Sequence, residues 1–379
     1  MRVGVNEVIL SGQSDGSRQR ELNVLRALAA ALTEESLDAI FYLASDIDAS
    51  TACLLSSLVS VERIKQVKIP SRPTVMRIGQ GALRWQGILA RDACDLFHTS
   101  YYPIPRIRQK VALTVNDLRF LKFPETYPFA RRQFLRVAVP KAIRRADLVY
   151  AISEFTKTEI CEAYDVSPEK VIVAPIPRGE SFRPISAVVP LEDVRRRYRL
   201  PERFLLCVGH LEPRKNLKRV VEAFTAARAR IGQRFGLVIL GKENHDWGDV
   251  LATVRTSSVR EDIVFTGYVP DSDMPLIYNL AEMLVFPSLH EGFGIPVLEA
   301  MSTGIPVVTS NSTALREVGG DAAILVDPLS VDAIALGIQT VLTDGDCRKA
   351  AVEKGLARAA EFEPEKTARA IVSGYKRLG

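Results

Sequence analysis

The sequence has no long run of apolar residues. No stretch of its 379 residues approaches the ~20 apolar residues that a membrane-spanning helix needs. The first ten residues, MRVGVNEVIL, carry Glu7 inside their apolar stretch, so they predict a first strand and not a signal peptide. Together these absences predict a protein that stays in the cytoplasm.

Cysteine and histidine are few and scattered. The five cysteines form no Cys-x-x-Cys pair, and the four histidines show no ligand spacing with one another. The cysteine pattern is typical of reduced, mostly buried thiols in a cytosolic protein. The histidine pattern gives no indication of a metal site.

Strong positive charge and a dinucleotide motif are also absent. The formal net charge is +5, which is too small to indicate nucleic-acid binding by itself. The loop SGQSDGS, residues 11–17, follows the first predicted strand but lacks the GxGxxG pattern of a dinucleotide site. An ordinary strand-to-helix loop and a loop that offers backbone donors to a ligand are equally consistent with it.

Short β-branched segments alternate with amphipathic helical segments along the whole chain. Strands are predicted at Ala39–Leu43 and Val111–Val115 in the first half, and at Phe204–Val208 and Met283–Phe286 in the second. A proline-rich passage without periodicity, Pro175–Pro190, separates the two halves and predicts a linker. The pattern predicts an α/β protein with two Rossmann-like domains, each a doubly wound parallel sheet.

The predicted linker sets the domain boundary. It gives an N-terminal domain over residues 1–185 and a C-terminal domain over residues 186–362, each large enough for a full hydrophobic core. Doubly wound sheets bind ligands beyond the carboxyl ends of their strands, so we expect the ligand in a cleft across which the two domains face.

The segment PSLHEGFGIPVLEAMSTGIP, residues 287–306, is the most informative part of the chain. It follows a predicted buried strand and runs into an apolar helical pattern, which predicts a strand, a glycine-rich turn and a helix. Gly292 and Gly294 would expose backbone N–H groups at the helix N-terminus, where anions bind readily. Glu291 lies at the mouth of this helix and Glu299 lies about two turns deeper.

This spacing suggests a division of labour between the two acids. One can hold a neutral polar group of a ligand while the other faces its phosphate end. The alternative is that glycine is common in any strand-to-helix turn, so EGFG taken alone is a weak signal.

A second segment, VGHLEPRKN at residues 208–216, places two cations at another strand end. The predicted strand ends at Gly209, and Arg214 and Lys215 follow in the loop before the next helix. Two opposite charges about 4 Å apart attract by roughly 4 kcal/mol at an effective dielectric near 20, which suits a diphosphate. A solvated basic turn is an equally good interpretation of this segment alone, but cations and N–H donors at corresponding strand ends favour the diphosphate.

Asp271 and Asp273 form a DxD pair, which can hold a divalent cation under a nucleotide diphosphate. Asp273 is followed two residues later by Pro275, an arrangement typical of a helix N-terminus. The helix-terminus interpretation is favoured over metal binding, and no metal is predicted.

Residues 101–150 are basic and rich in aromatic side chains. They contain 11 Lys and Arg residues against three acids. Such a surface would suit an anionic membrane face or a lipid-diphosphate acceptor, while a merely solvated basic face is slightly favoured. Aromatic residues among cations also suit single-stranded nucleic acid, which the predicted cleft chemistry disfavours.

Four segments of the second half together resemble the retaining nucleotide-sugar glycosyltransferases of family 4, which have the GT-B fold. They span nearly all of Phe204–Leu378 and read VGHLEPRKN, VFTGYVPDSDMPLIYNLA, PSLHEGFGIPVLEAMSTGIPVV and FEPEKTARAIVSGYKRL. The first half resembles the family more loosely, at TVNDLRFLKFPETYP and DLVYAISEFTKTEI, which look most like bacterial mannosyltransferases of surface polysaccharide assembly.

This resemblance implies a role for individual residues. Lys215 would neutralise the donor diphosphate, Glu291 would lie by the donor sugar, and Glu299 would hold the ribose hydroxyls. Asp117 matches the acidic half of a His-Asp pair beside the donor sugar, and with Lys215 and Glu291 it completes the predicted catalytic set. The implied donor site comprises Gly209, Arg214, Lys215, Tyr268, Val269, Gly292, Phe293, Gly294, Ile295 and Glu299, with Gly16 and Ser17 from the first domain.

The sequence departs from the family pattern at three places. His210 stands where many members carry an arginine, and Asn116 stands where the histidine of the His-Asp pair is usual. The paired glycines of the first loop are replaced by the segment Gly12–Gly16.

The resemblance also implies an activity. We expect a metal-independent retaining transferase without cofactor that moves a hexose, with mannose from GDP-mannose favoured, to a saccharide or lipid-linked saccharide. The first domain would bind the acceptor, the second the nucleotide-sugar, and a helix over residues 363–379 would cross back to the first domain. Peripheral contact with the anionic inner face of a membrane is a further expectation. The alternatives are a nucleotide-sugar 2-epimerase and a non-catalytic nucleotide-sugar-binding or membrane-scaffold protein.

Overall fold

The structure describes most of the chain. It is a computed structural model that covers residues 1–10, 15–34, 37–242 and 248–379. The chain divides into two compact units, of which unit 1 comprises Met1–Pro177 with Phe362–Gly379 and unit 2 comprises Arg178–Glu361. Each unit contains a parallel sheet packed against helices, which confirms the predicted α/β fold class.

Unit 1 is built on a parallel sheet in the order β3-β2-β1-β4-β5-β6-β7, seven strands in the described part of the chain. Its elements are β1 Arg2–Asn6, α1 Asp15–Glu34, β2 Asp38–Leu43, α2 Ala49–Leu58, β3 Ile64–Gln66, α3 Thr74–Arg91, β4 Leu96–Thr99, β5 Lys110–Val115, α4 Arg119–Lys122, α5 Phe129–Arg145, β6 Leu148–Ala151, α6 Glu154–Tyr164, β7 Val171–Val173 and, from the end of the chain, α15 Pro364–Leu378. The strand order reverses at β1 and β4, where open α/β sheets bind ligands.

The helices of unit 1 pack on both faces of its sheet. Trp85 of α3 and Val139 of α5 belong to the hydrophobic core on one face. Leu25 of α1, Leu55 of α2 and Ile371 of α15 belong to the core on the other face. Because both faces are covered, the strands are almost continuously apolar, as expected for a parallel sheet.

The C-terminal helix α15 is part of unit 1. Its buried residues Ala368, Ile371, Val372 and Tyr375 follow the i, i+3, i+4, i+7 spacing of an amphipathic helix. Gly374 lets the helix approach the sheet closely, since a Cβ there would lie 2.3 Å from the Tyr150 hydroxyl oxygen.

Unit 2 is built on a parallel sheet in the order β10-β9-β8-β11-β12-β13, six strands in the described residues. Its elements are α7 Val188–Arg197, β8 Phe204–Val208, α8 Leu217–Ile231, β9 Gly236–Leu240, α9 Gly248–Thr256, β10 Ile263–Gly267, α10 Met274–Leu280, β11 Met283–Phe286, α11 Ile295–Thr303, β12 Val307–Ser310, α12 Thr313–Gly319, β13 Ile324–Val326, α13 Val331–Thr343 and α14 Gly345–Ala360.

The pairing of β8 with β11 brings the two most informative sequence segments together. Met283 pairs with Leu205 and Leu284 with Leu206, so the two strands are parallel neighbours. The carboxyl ends of parallel strands lie at the same edge of a sheet. The cationic loop after β8 and the glycine-rich turn after β11 are therefore adjacent.

Two sequence predictions needed correction. The first strand ends at Asn6, and the predicted strand residues up to Leu10 form a turn. The predicted linker Pro175–Pro190 is too long, because α7 begins at Val188 and Pro190 lies in its first turn. Proline is tolerated there because the first N–H groups of a helix have no intrahelical partner.

No helix in the described ranges of the chain is both long and apolar enough to cross a membrane.

Candidate functional site

The loop after β8 folds two cations inward. Gly209 has a φ of +135°, and a Cβ there would lie 2.8 Å from Cε of Lys215, so only glycine suits the position. A short helical turn, Pro213–Lys215, follows, and Arg214 and Lys215 are only 7% and 8% exposed. This burial rules out the solvated basic turn that the sequence left open.

Hydrogen bonds tie this loop to the turn after β11. The Arg214 carbonyl oxygen accepts from the Leu289 N–H at 2.7 Å and from Ser288 Oγ at 3.0 Å. The Asn216 side-chain amide donates to the Pro287 carbonyl oxygen at 3.0 Å. The two loops therefore act as one rigid support for the side chains between them.

Glu291 lies at the centre of a buried polar cluster. Its Oε1 accepts hydrogen bonds from Lys215 Nζ at 2.6 Å, Arg214 Nη1 at 2.7 Å and Ser288 Oγ at 2.8 Å. Arg214 Nε also donates to Oε2 of Glu212 at 2.8 Å. The cluster thus contains two cations and two carboxylates, which satisfies the rule that buried charges are paired.

The pKa values in this cluster follow from burial and from the neighbouring charges. Burial alone would raise the pKa of Glu291, but the charges of Arg214 and Lys215 outweigh it and lower the pKa to about 2. Burial lowers the pKa of Lys215, and the charge of Glu291 opposes this effect. At neutral pH Glu291 is therefore ionised and holds both cations in place.

The N-terminus of α11 lies directly behind Glu291. Gly294, with a φ of +117°, precedes the first helical residue Ile295. A Cβ on Gly294 would lie 2.7 Å from Leu315 Cδ2, so the turn requires glycine for both conformation and space. Phe293 is 3% exposed and anchors the turn in the core. The strand, glycine turn and helix predicted from the sequence are all present, and a helix N-terminus of this kind suits an anion.

Glu299 lies further along α11. Its Oε2 accepts a hydrogen bond from the Tyr278 hydroxyl at 2.7 Å. Burial raises the pKa of Glu299 to about 8, and the bond from Tyr278 partly opposes this increase. The two acids of the segment therefore differ at neutral pH: Glu291 is ionised and Glu299 is mostly protonated.

Tyr268 and Val269 follow β10 at the same edge of the unit 2 sheet. Val269 is buried, whereas Tyr268 is 48% exposed and has Lys242 Nζ over its ring, 4.3 Å from the centroid. The structure thus gives this edge an exposed aromatic face next to a cation.

One acid of the DxD pair, Asp273, accepts hydrogen bonds from side chains of the same unit. The Asp273 carboxylate accepts from Arg197 Nη1 and from the Tyr198 hydroxyl, each at 2.7 Å. Asp273 precedes α10 as predicted, but its side chain makes no capping bond to that helix, so the capping interpretation was wrong in this detail. Within the described ranges, no three His, Cys, Asp or Glu side chains gather as a metal site would require.

The predicted residues of unit 1 are less closely assembled. Oδ1 of Asp117 accepts from the Arg119 N–H at 3.1 Å, directly after β5. Gly16 and Ser17 fall in the first turn of α1, and their side chains lie outside the described part of the chain. Gly12 also lies outside it.

Unit 1 contains a buried polar network that no sequence pattern indicated. His98 on β4 contacts the Tyr375 hydroxyl through Nδ1 at 2.5 Å and Thr114 Oγ1 through Nε2 at 2.7 Å. Burial lowers the pKa of His98 to about 4, so the ring is neutral. His98 and Thr114 line a cavity of about 30 Å³, together with Asn116. A polar cavity of this size suits a water molecule.

Two residues of the unit 2 site were also missed. Ser288 lies three residues before Glu291, close enough along one turn for its hydroxyl to reach the carboxylate. Tyr278 comes from α10 and reaches Glu299 only through the tertiary fold. The spacing of Ser288 was a usable signal, whereas nothing in the local sequence pointed to Tyr278.

Two parallel-sheet units, with cations and a helix N-terminus at the carboxyl edge of the second sheet, are typical of glycosyltransferases with the GT-B fold. Family models described as "Glycosyltransferase Family 4" and "Glycosyl transferases group 1" match residues 22–177 and 192–358. O-antigen chain mannosyltransferase B of Escherichia coli is 33% identical over 298 residues, which are 78% of each chain. The chain therefore belongs to glycosyltransferase family 4 and is a glycosyltransferase, as the resemblance implied.

Further similarities agree with this assignment. Serotype-specific mannosyltransferase WbdA of Escherichia coli is 33% identical over 287 residues, which are 74% of this chain but only 35% of that protein. The chain thus spans about a third of the length of WbdA. The crystal structure of HepE from Anabaena in complex with UDP and glucose matches all of both chains with a TM-score of 0.74 at 18% identity. At this identity the likeness shows the fold.

Proposed function

We propose that this glycosyltransferase moves a mannosyl unit from GDP-mannose to a hydroxyl of a saccharide or lipid-linked saccharide, with retention at the anomeric carbon. The names of the two Escherichia coli relatives support the sugar. The observation that carries the proposal is the buried cluster of Lys215, Arg214 and Glu291 beside the N-terminus of α11.

The proposed chemistry is separation of charge. Breaking the bond between sugar and phosphate places negative charge on the leaving diphosphate and positive charge on the sugar ring. Lys215, Arg214 and the backbone N–H groups at Phe293 and Gly294 would stabilise the diphosphate. Groups of this kind that are held in place before reaction usually contribute the largest catalytic effect.

Glu291 has two proposed roles. Before the donor binds, it holds Lys215 and Arg214 in place, at 2.6 and 2.7 Å. During the reaction, its negative charge would lie near the positive charge that develops on the sugar ring. The leaving phosphate would take the acceptor proton on the same face, so no separate enzymatic base is required.

The remaining donor contacts are proposed from the family resemblance. Glu299 would hold the ribose hydroxyls, and Tyr268 and Val269 would lie near the base. Gly16, Ser17 and Asp117 of unit 1 would contact the diphosphate and the donor sugar. No metal or cofactor is included in the proposal.

Peripheral contact with an anionic membrane is the last part of the proposal. A lipid-linked saccharide acceptor is held at a bilayer, so an enzyme that binds there meets its acceptor at high local concentration. The basic and aromatic composition of residues 101–150 supports this contact.

A panel of GDP-, UDP- and ADP-sugars tests the donor. Only a sugar nucleotide that binds the folded protein raises its melting temperature, and GDP-mannose is expected to raise it most. Release of GDP that depends on an acceptor would support the transferase. A changed sugar nucleotide without any acceptor would instead indicate a 2-epimerase, and binding without turnover a non-catalytic protein.

A further inference from the structure

The outer faces of α3 and α5 carry exposed apolar side chains. On α3, Val75 and Leu83 are each 83% exposed and Met76 is 53% exposed. On α5, Phe129 is 68% exposed and Val137 is 53% exposed. Seven of the fifteen large hydrophobic residues exposed in the described chain lie between residues 75 and 137. Such a concentration marks an interaction surface.

The same two helices carry positive charge and no negative charge. Neither α3 nor α5 contains an aspartate or a glutamate. Their cations are Arg77, Arg84, Arg91, Arg131, Arg132, Arg136, Lys141, Arg144 and Arg145. A partner for this surface must therefore be both apolar and negatively charged.

The two faces are neighbours on unit 1. Both helices contribute to the hydrophobic core on one face of the sheet. The loop before β5 bridges them, because the Arg108 N–H donates to Gln86 of α3 at 2.8 Å and Arg145 of α5 donates to the Ile107 carbonyl oxygen at 3.0 Å. We name the outer faces of α3 and α5 together the α3–α5 surface.

The cations at one end of this surface crowd one another. Burial lowers the pKa of Arg77, and the charge of Arg131 on the other helix adds to the effect. Arg131 also lies over the Tyr127 ring, 5.5 Å from its centroid. An anion placed here would relieve repulsion between like charges.

We propose that the α3–α5 surface binds the face of an anionic lipid bilayer. The apolar side chains would enter the boundary between head groups and acyl chains, and the cations would contact the lipid phosphates. This inference deepens the proposed membrane contact by naming its surface, and it does not depend on the identity of the donor.

Other partners fit the surface less well. A symmetric pair of two copies would place the exposed cations of one surface, Arg136, Lys141 and Arg144 among them, against those of the other, which is repulsive. Single-stranded nucleic acid needs aromatic rings on which bases stack. Phe129 is such a ring, but the two most exposed side chains of the surface, Val75 and Leu83, are aliphatic and offer no flat face for stacking.

The α3–α5 surface coincides only in part with residues 101–150, the region that the sequence composition indicated. Within residues 101–150, Phe120 is buried and Tyr101, Phe123 and Tyr127 are partly buried. Helix α3 lies outside that region, yet it supplies the two most exposed apolar side chains of the surface. Composition alone could not separate the aromatic residues that pack inward from those that face out.

Vesicle flotation with the full chain tests the proposal. We expect binding to vesicles of phosphatidylglycerol and phosphatidylcholine to be at least ~10-fold tighter than binding to phosphatidylcholine alone. Raising the salt from about 0.1 M to about 1 M shortens the screening length from ~10 Å to ~3 Å and should weaken the binding strongly. Equal binding to both vesicle types would overturn the proposal.

Two sets of variants locate the contact. Val75→Ser with Leu83→Ser removes apolar area, and Arg136→Gln with Lys141→Gln and Arg144→Gln removes charge. Each set should weaken vesicle binding at least ~10-fold. The matched controls are exposed positions of unit 2, which should bind as the parent does. They are Leu329→Ser with Leu336→Ser, and Lys218→Gln with Arg255→Gln and Lys349→Gln.

The shift in melting temperature caused by a sugar nucleotide should be the same in all four variants, which shows that the fold and donor site are intact. Unchanged vesicle binding in both surface variants would overturn the proposal. So would self-association through this surface in the absence of lipid. A failure of GDP-mannose to bind would contradict the proposed donor and leave the proposed membrane surface unaffected.

Discussion

His98 and Tyr375 are 277 residues apart in the sequence, yet Nδ1 of the histidine lies 2.5 Å from the tyrosine hydroxyl. The contact joins β4 of unit 1 to the last helix of the chain. A second bond nearby, from the Tyr150 hydroxyl to the Ile371 carbonyl oxygen at 2.5 Å, joins β6 to the same helix. Hydrogen bonds as well as apolar packing therefore hold α15 against the sheet of unit 1.

The buried His98 ring should make the stability of the fold sensitive to acid. The pKa of His98 is about 4 in the folded protein, below its ordinary value of 6.5, because the ring is buried. The unfolded chain therefore binds more protons, so the free energy of unfolding should fall as pH drops from 6.5 to 4. His98→Gln should flatten this dependence in urea-unfolding curves measured across that range.

The His98 experiment needs a control for the acidic side chains nearby, which also titrate at low pH. Glu7 and Glu21 line the same cavity as His98, so Glu21→Gln serves as a matched substitution that leaves the histidine in place. An identical pH dependence in the parent protein and His98→Gln would contradict the prediction.

Lys215→Ala and Glu291→Ala should each lower turnover at least ~100-fold, which corresponds to about 2.7 kcal/mol of lost transition-state stabilisation. The fold should survive Lys215→Ala, since Arg214 and Ser288 still satisfy the Glu291 carboxylate. Release of nucleoside diphosphate measures turnover, and the melting temperature reports folding. Lys218→Ala, an exposed lysine of α8 in the same unit, is the control and should be fully active. Normal turnover in both site variants would remove the proposed assignment.

Ionisation of Glu299 should change stability with pH in the opposite direction to that of His98. Its pKa is raised by burial from 4.5 to about 8, so the folded protein keeps a proton that the unfolded chain has lost. The free energy of unfolding should therefore fall as pH rises from 4.5 to 8, and Glu299→Gln should remove that loss. If the ionised carboxylate binds the ribose hydroxyls, donor affinity should increase as pH rises through 8 in the parent protein only. A variant with the parent's pH profile would show that Glu299 is not the titrating group.

Activity should be independent of divalent metal. The Asp273 carboxylate is occupied by Arg197 and Tyr198, so we expect a chelator to leave turnover unchanged. Asp273→Ala should lower the melting temperature, because it leaves both partners without their acceptor. Asp271→Ala should retain activity. Loss of turnover in chelator that magnesium or manganese restores would instead support a metal site at Asp271 and Asp273.

Strands and loops with strong local patterns were predictable. The apolar segment Met283–Phe286 is β11 as expected, and the EGFG turn leads into α11 with Gly294 at the predicted position. These features follow from residues close together in the chain, where the alternation of apolar residues and the need for glycine are visible in the sequence. The helix at the end of the chain, which begins at Pro364, was expected over residues 363–379 from the family resemblance.

Contacts between distant segments were not predictable. Glu291 and its cations were identified separately, but their hydrogen bonds depend on β8 and β11 being neighbours in the sheet. The partners of Asp273 are Arg197 at the end of α7 and Tyr198 directly after it, and the partner of Glu299 comes from α10. Local sequence does not predict which side chain from a distant segment will contact a given residue.

The sequence by itself determined the α/β class, the position of the glycine-rich turn and the residue types at the strand ends, because these depend on periodicity and backbone conformation. Only the tertiary structure decided which charges are buried together and which aromatic rings face outward. Burial is a property of the whole packed unit, and it raises the pKa of Glu299 but lowers that of His98. At Glu291 the charges of Arg214 and Lys215, which the fold brings together, outweigh burial and lower the pKa.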